Sequence, residues 1–263
     1  MPVQIHYIFL LVTLLFSCEV LSEQHNWQSP SYIINSFLDI ALRNEYTNKP
    51  SLVRKWSQPI YYQVIHRTGD SELHEKLTKT HLEHLATITG LIILPTTIEH
   101  HVNLKIIFSS EQNLRQELQN DFLLKDKQQI KELTHHGVCL GNFSIDARNN
   151  ITKAIVIIPV DRARAHAKLL SCIVEELTQI LGLPNDSDRV FPSIFNDRSK
   201  DDYLSGLDFI LLKALYHPSI KPGMNYQQVT SQLKSLLTLP EFQKLIINAE
   251  KIVNEQGLYP LLN

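Results

Sequence analysis

Apolar residues spaced three and four positions apart predict two helices in the first third of the chain. The stretch SYIINSFLDIALRNEY, residues 31–46, places Ile33 and Phe37 on one side of a helix. The stretch SELHEKLTKTHLEHLATIT, residues 71–89, repeats this spacing and is followed by Gly90, a typical helix stop. These two segments are therefore expected to pack by one face against a core.

Strands are predicted where apolar residues alternate with polar ones or form short runs. In KWSQPIYYQVI, residues 55–65, alternation predicts a strand with one buried face. The segments LIIL (91–94) and VNLKIIF (102–108) are short apolar runs. AIVIIPV (154–160) is rich in β-branched residues, which is typical of a strand buried on both faces.

The second half of the chain is predicted to be mostly helical. We expect one long helix over 162–181, a helix over 204–216 and helical structure over 226–255. This order predicts an α+β fold: a mixed sheet with packed helices, a long central helix and a helical C-terminal lobe. We expect one domain over 30–217, with 218–263 as its C-terminal helical extension and a cleft along the long helix.

The N-terminal segment has the character of a targeting signal. Residues 1–22 contain an unbroken run of apolar residues and threonine, which is short for a membrane span and fits a signal peptide. Two processing routes remain open: a lipoprotein signal with Cys18 as the lipidated residue, or ordinary cleavage after the small residues that follow. Both predict an exported protein, located in the periplasm or lipid-anchored in the cell envelope.

Charge and cysteine content narrow the function further. The net charge of −2 and the absence of a basic cluster give no reason to expect nucleic acid as a partner. If Cys18 is removed or acylated, Cys139 and Cys172 remain, and an even pair in an oxidising compartment predicts a disulfide. Two buried free thiols are the alternative.

The segment SCIVEELTQILGLPND, residues 171–186, carries the only pattern that suggests a catalytic site. The zinc-protease motif HExxHxxGxxH places two histidines one helical turn apart, a general base between them and a third histidine after a glycine turn. With Gly182 as that glycine, Glu176 falls on the catalytic glutamate. The three histidine positions are occupied by other residues, which are Glu175, Gln179 and Asn185.

Neighbouring segments strengthen this comparison. Over residues 54–217 the chain resembles the catalytic domains of metzincin and matrixin zinc proteases, with KWSQPIYYQVI at the start and LSGLDFILLKALYHP at the end. In PSIFND, Phe195 stands where those proteases place a methionine beneath the zinc. The resemblance implies a metzincin-like fold whose metal site is degenerate.

A second resemblance covers most of the chain after the N-terminal segment. The segments IALRNEY, RKWSQPI, CIVEELTQILGLPND, PSIFND and LDFILLKALYHPSIKPGM are similar to a family of proteobacterial lipoproteins described as a domain of unknown function, DUF2927. The family motif has EExxQ in place of HExxH. The resemblance therefore implies that the missing histidines are normal for the family, and it supplies no activity.

Ligand chemistry gives no firm metal at these positions. Zinc prefers nitrogen and sulfur, so one carboxylate with two amides would hold it poorly. An all-oxygen set suits calcium better, and Asp186 and Asp188 are close enough in sequence to contribute. Zinc and calcium both remain open, as does a purely structural role in which Glu175 bonds Gln179 one turn later.

Histidines elsewhere in the chain are further candidate ligands. His81 and His84 fall on the apolar side of their predicted helix, where a partly buried or rim histidine is the commoner outcome.

Three functions fit these expectations. The leading hypothesis is a non-catalytic domain that uses the cleft to bind a peptide, a glycan strand or an envelope protein. The second is an atypical metallo-hydrolase of peptidase type with Glu176 as general base. The third is a structural lipoprotein whose residues 226–255 dock on an envelope partner.

Overall fold

The structure is a computed structural model that describes residues 27–43, 51–199 and 202–262. The predicted signal segment, including Cys18, lies outside these ranges. The helices are α1 (Pro30–Leu42), α2 (Ser71–Thr89), α3 (Leu114–Asn120), α4 (Lys127–His136), α5 (Val160–Ala165), α6 (Leu169–Gln179), α7 (Gly206–Leu215), α8 (Tyr226–Leu236), α9 (Pro240–Asn254) and α10 (Tyr259–Leu262). The strands are β1 (Lys55–Trp56), β2 (Ile60–His66), β3 (Ile93–Pro95), β4 (Leu104–Ser109), β5 (Leu140–Ile145) and β6 (Asn150–Pro159).

The strands form one mixed sheet. Strands β3, β2, β4 and β6 lie side by side in that order and run parallel. The short β1 pairs in parallel with Asn150 and Ile151 at the start of β6, and β5 pairs antiparallel with β6 from Ile151 to Ile157. Together with the packed helices, this sheet confirms the predicted α+β class.

Alternating side chains of the central strands build a core on each face of the sheet. Ile106 and Val156 belong to the main core, whereas Ile107 and Ile157 belong to a smaller core on the other side. All four are fully buried. Because successive strand residues point to opposite faces, two continuous apolar strands can serve both cores at once.

The helices are divided between the two faces. Residues of α1, α2, α6, α7, α8 and α9 contribute to the main core, and residues of α3 and α4 contribute to the smaller one. In the C-terminal region, α8 packs against α1 and α9 against α7. The C-terminal helices therefore share the main core. No helix in the described ranges is both long enough and apolar enough to cross a membrane.

Two local predictions are corrected by the structure. The long helix expected over 162–181 is broken, because Ala167 has a left-handed backbone with φ of 56° between α5 and α6. The first helix ends at Leu42, since Arg43 is already extended. Strand β5 is not among the strands that the sequence pattern predicts.

The loop before α7 is fixed by a buried carboxylate. Asp208 accepts hydrogen bonds from the Ser193 hydroxyl at 2.6 Å and from the Ile194 amide at 3.1 Å. It also accepts from the amide of Ser205, the N-cap of α7, at 2.8 Å. This network joins the PSIF segment to the start of α7. Phe195, at the position where zinc proteases place a methionine, is fully buried.

Candidate functional site: the cavity between α6 and β5

Helix α6 carries the EELTQ segment and lies against the edge strand β5. Cys139, one residue before β5, forms a disulfide with Cys172 in the first turn of α6, with their Cα atoms 5.8 Å apart. The predicted disulfide is therefore confirmed. It attaches the edge strand to the helix that contains the ligand-equivalent positions.

Glu176 is packed against β5. Its side chain is 8% exposed, and its carboxyl group accepts a hydrogen bond from the backbone N–H of Gly141. A Cβ atom at position 141 would stand 2.7 Å from Glu176 Oε2, so glycine allows this contact. Burial, followed by repulsion from Glu175 and Asp186, raises the pKa of Glu176 well above its usual range. Burial therefore favours the neutral form of this carboxyl group.

Glu175 is next in sequence but sits in a different environment. Burial raises its pKa to about 8, and the nearby carboxylates of Asp186 and Asp197 add to this effect. Lys168 acts in the opposite direction. Glu175 therefore lies near the acidic side chains of Asp186 and Asp197, whereas Glu176 faces β5.

The two amide side chains at ligand-equivalent positions are bonded within the protein. Gln179 Nε2 donates to Asp186 Oδ1 at 2.8 Å. Asn185 Nδ2 donates to the Ile40 carbonyl at 2.8 Å, and the Asn185 backbone N–H donates to the same oxygen at 3.2 Å. Asn185 thus attaches the loop after α6 to the end of α1.

This donor set does not fit zinc. It offers no nitrogen or sulfur ligand, and both amides already donate to other groups. Within the described residues, no three side chains of His, Cys, Asp or Glu are arranged to hold a metal ion.

A cavity large enough for a small ligand lies beside these residues. A cavity of about 380 Å³ opens between β5, the end of α6 and the residues around β1. Its apolar walls come from seven side chains, which are Phe122, Leu124, Leu133, Leu140, Phe143, Ile180 and Pro184. Its polar walls include Arg43, Arg54, Gln129 and Asn142, together with two of the ligand-equivalent residues, Gln179 and Asn185.

Arg54 holds the least satisfied polar group of the cavity wall. Its Nε is buried with no hydrogen-bond partner, and its Nη2 donates to the Ala41 carbonyl at 3.5 Å, the limit of a hydrogen bond. The guanidinium lies over the Phe143 ring, 5.4 Å from the centroid. Burial lowers the pKa of Arg54.

Gly182 fixes the backbone at Arg54. It has φ of +116°, and a Cβ atom there would stand 2.0 Å from the Arg54 carbonyl oxygen. The glycine that aligned with the turn of the zinc-protease motif therefore has a packing role: it lets the loop after α6 approach the residues before β1.

The two histidines of α2 are core residues. His81 Nε2 lies 3.1 Å from both the Val174 carbonyl and the Thr178 hydroxyl, so it joins α2 to α6. Burial lowers the pKa of His81 to about 3 and that of His84 to about 4. Both are more deeply buried than the expected rim position, and neither lies in the cavity wall.

Comparison with known proteins gives one match. A search of curated proteins and a search of solved structures each found no match. The family profile described as "Protein of unknown function (DUF2927)" matches residues 30–235, which is most of the chain. The match runs from the start of α1 to the last turn of α8 and includes the whole cavity wall. The chain therefore belongs to the DUF2927 family.

Proposed function

We propose that this protein is an exported, non-catalytic binding domain and that the cavity between α6 and β5 is its binding site. The observation that carries the proposal is the use of the ligand-equivalent positions. The hydrogen bonds of Gln179, Asn185 and Glu176 are made within the protein and connect the segments that form the cavity walls. They act as its frame.

The state of Glu176 argues against the hydrolase alternative. A general base must be ionised near the working pH and within reach of a water molecule. The pKa of Glu176 is raised well above its usual range, and its carboxyl group contacts Gly141. A neutral, strand-bound acid is suited to a structural contact.

Two features support export. The N-terminal segment has the pattern of a signal peptide. The disulfide between Cys139 and Cys172 is of the kind that persists in oxidising compartments outside the cytosol. We expect the mature protein in the periplasm or attached to the envelope through Cys18.

The composition of the cavity wall suggests how a ligand would be held. Apolar side chains provide contact area, and a small number of polar groups would fix its orientation, as in most ligand sites. The exposed edge of β5 is a less favourable place for an added peptide strand. The N–H of Gly141 already donates to Glu176, and that of Phe143 donates to the Asn142 side chain at 2.8 Å.

A cavity-filling variant tests the proposal. Asn142 is exposed and lines the cavity, so Asn142→Trp should fill it without burying a polar group. Ser144→Trp is the matched control, because Ser144 is exposed on the same strand but does not line the cavity. Both variants and Glu176→Gln would be screened against arrays of peptides and glycan fragments.

We expect ligands that bind the wild type, Ser144→Trp and Glu176→Gln, and that fail to bind Asn142→Trp. The proposal is wrong if Asn142→Trp leaves every ligand bound. It is also wrong if a bound peptide or glycan is cleaved by the wild type and left intact by Glu176→Gln.

A further inference from the structure

The cavity between α6 and β5 has an unbalanced positive charge. Arg43 and Arg54 line it, and its described lining residues include no acidic side chain, whereas Arg43 also lines a neighbouring cavity with Asp186, Asp188 and Asp197. Across the described part of the chain, no carboxylate oxygen comes within 4.0 Å of either guanidinium. Arg54 is partly buried and no described carboxylate pairs with it, which is unfavourable for a cation, so the cavity attracts an anion.

The shape of the arginine group favours a planar anion. Arginine presents its N–H donors in a rigid fork that matches the two oxygens of a carboxylate. Arg54 uses little of this capacity, because its Nε is unpartnered and its single hydrogen bond, to Ala41, is long. The Phe143 ring beneath the guanidinium limits its movement.

The apolar wall of the cavity favours a ligand with an apolar group beside its carboxylate. Leu133, Leu140 and Ile180 line the same cavity as the two arginines. An inorganic anion would leave this surface uncovered, whereas a carboxylate attached to an apolar group would cover it. Because the donors of Gly141 and Phe143 are already used, we expect such a ligand to enter by its end, with the carboxylate leading.

We propose that this cavity binds the carboxylate of a ligand that carries an apolar group beside it, with Arg54 as the main carboxylate-binding residue and Arg43 as a second one at the rim. The inference rests on the proposed function and names its ligand class. A peptide that ends in a free carboxylate and a fatty acid both offer this chemistry.

Isothermal titration calorimetry with three probes tests the inference. The probes are a short peptide ending in leucine with a free carboxylate, the same peptide as its C-terminal amide, and dodecanoate. We expect the peptide acid or dodecanoate, or both, to bind, and the amide to bind about 10- to 100-fold more weakly than the acid if the peptide is the source, since hydrogen bonds to charged groups are lost. Binding of dodecanoate alone would assign the carboxylate to a fatty acid.

Variants of Arg54 and Arg43 test whether these residues cause the preference for a carboxylate. Arg54→Gln should remove the tight binding, Arg54→Lys should retain part of it, and Arg43→Gln should weaken it less than Arg54→Gln does. Arg148→Gln is the matched control, because Arg148 is exposed in the turn between β5 and β6 and does not line the cavity. Circular dichroism would establish that each variant is folded.

The outcomes separate this inference from the proposed function. Equal binding of acid and amide that is lost in Asn142→Trp would overturn the carboxylate preference and leave the cavity as a binding site. Unchanged acid binding in Arg54→Gln would overturn the role of Arg54. Failure of all three probes on the wild type would overturn the inference, and the array screen would still decide the proposed function. The comparison of acid with amide uses wild-type protein, so it stands even if Arg54→Gln does not fold.

Discussion

Glu175 should make the protein less stable as the pH rises from about 4.5 to about 8. Its pKa is raised from 4.5 to about 8 in the folded state. Between these values the folded protein keeps a proton that the unfolded chain has lost, so the stability from this group is complete below 4.5 and decreases through the window. Replacing Glu175 with glutamine removes the titrating group and should remove its share of the decrease.

The size of the effect follows from the shift. Each unit of pKa corresponds to about 1.4 kcal/mol, so the full shift sets a ceiling of about 5 kcal/mol. Because Glu175 is partly exposed, solvent screening reduces this, and we expect Glu175→Gln to be more stable than the wild type by about 2 kcal/mol at pH 8. At pH 4.5 the difference should be close to zero.

Urea unfolding at pH 4.5, 6 and 8 measures this difference, with equal slopes in urea as the condition for comparing midpoints. Glu83→Gln is the matched control, since Glu83 is an exposed glutamate on α2 and its replacement also removes one carboxyl group. If wild type and Glu175→Gln lose stability in parallel between pH 4.5 and 8, the burial of the Glu175 carboxylate has been misjudged.

Three further predictions concern the stability of the fold. Gly182→Ala should cost about 2–6 kcal/mol, from its positive φ and its contact with the Arg54 backbone. Gly69→Ala, with open space around it, should cost far less, and equal urea midpoints for the two would contradict the packing argument. Replacing Cys139 and Cys172 with alanine removes a disulfide between residues 33 positions apart and should lower the free energy of unfolding by about 4 kcal/mol, measured by thermal melting. An unchanged melting temperature of the wild type in reductant would show that the disulfide does not stabilise the fold. Asp208→Ala removes the shared acceptor of the loop before α7 and should cost about 3–5 kcal/mol by chemical unfolding, whereas a cost below about 1 kcal/mol would show that the loop finds other partners.

The elements that could be predicted from the sequence are those whose burial repeats along the chain. Helix α2 and strands β4 and β6 carry regular apolar patterns and lie within one or a few residues of their predicted places. Strand β5, LGNFSI, has only Leu140 buried, because it lies at the sheet edge and half of its pairing surface faces no strand. The position of β5 is determined by its pairing with β6, and a local pattern of apolar residues does not predict that pairing.

The cavity itself depends on contacts between distant parts of the chain. Arg54 comes just before β1, Phe143 lies in β5 and Ile180 ends α6, so only the folded sheet brings them together. The break at Ala167 is likewise unpredicted, since alanine favours a continuous helix and rarely adopts positive φ. The zinc-protease motif aligned with α6 and with Gly182 after it. In the structure, Gln179 and Asn185 at its ligand-equivalent positions donate to Asp186 and to the Ile40 carbonyl, contacts that a local sequence pattern does not show.

The positions of the EExxQ segment acquire a consistent meaning when the edge strand is considered. An edge strand with free donors can pair with other chains, and proteins protect such edges. Glu176 accepts the Gly141 N–H, and the disulfide fixes the residue two positions earlier to the same helix. A carboxyl group with a strongly raised pKa can perform this role while neutral, at a lower desolvation cost than an ionised one. The segment that provides metal ligands in zinc proteases would then serve here to hold an edge strand beside a cavity, and the arginines of that cavity would select what enters it.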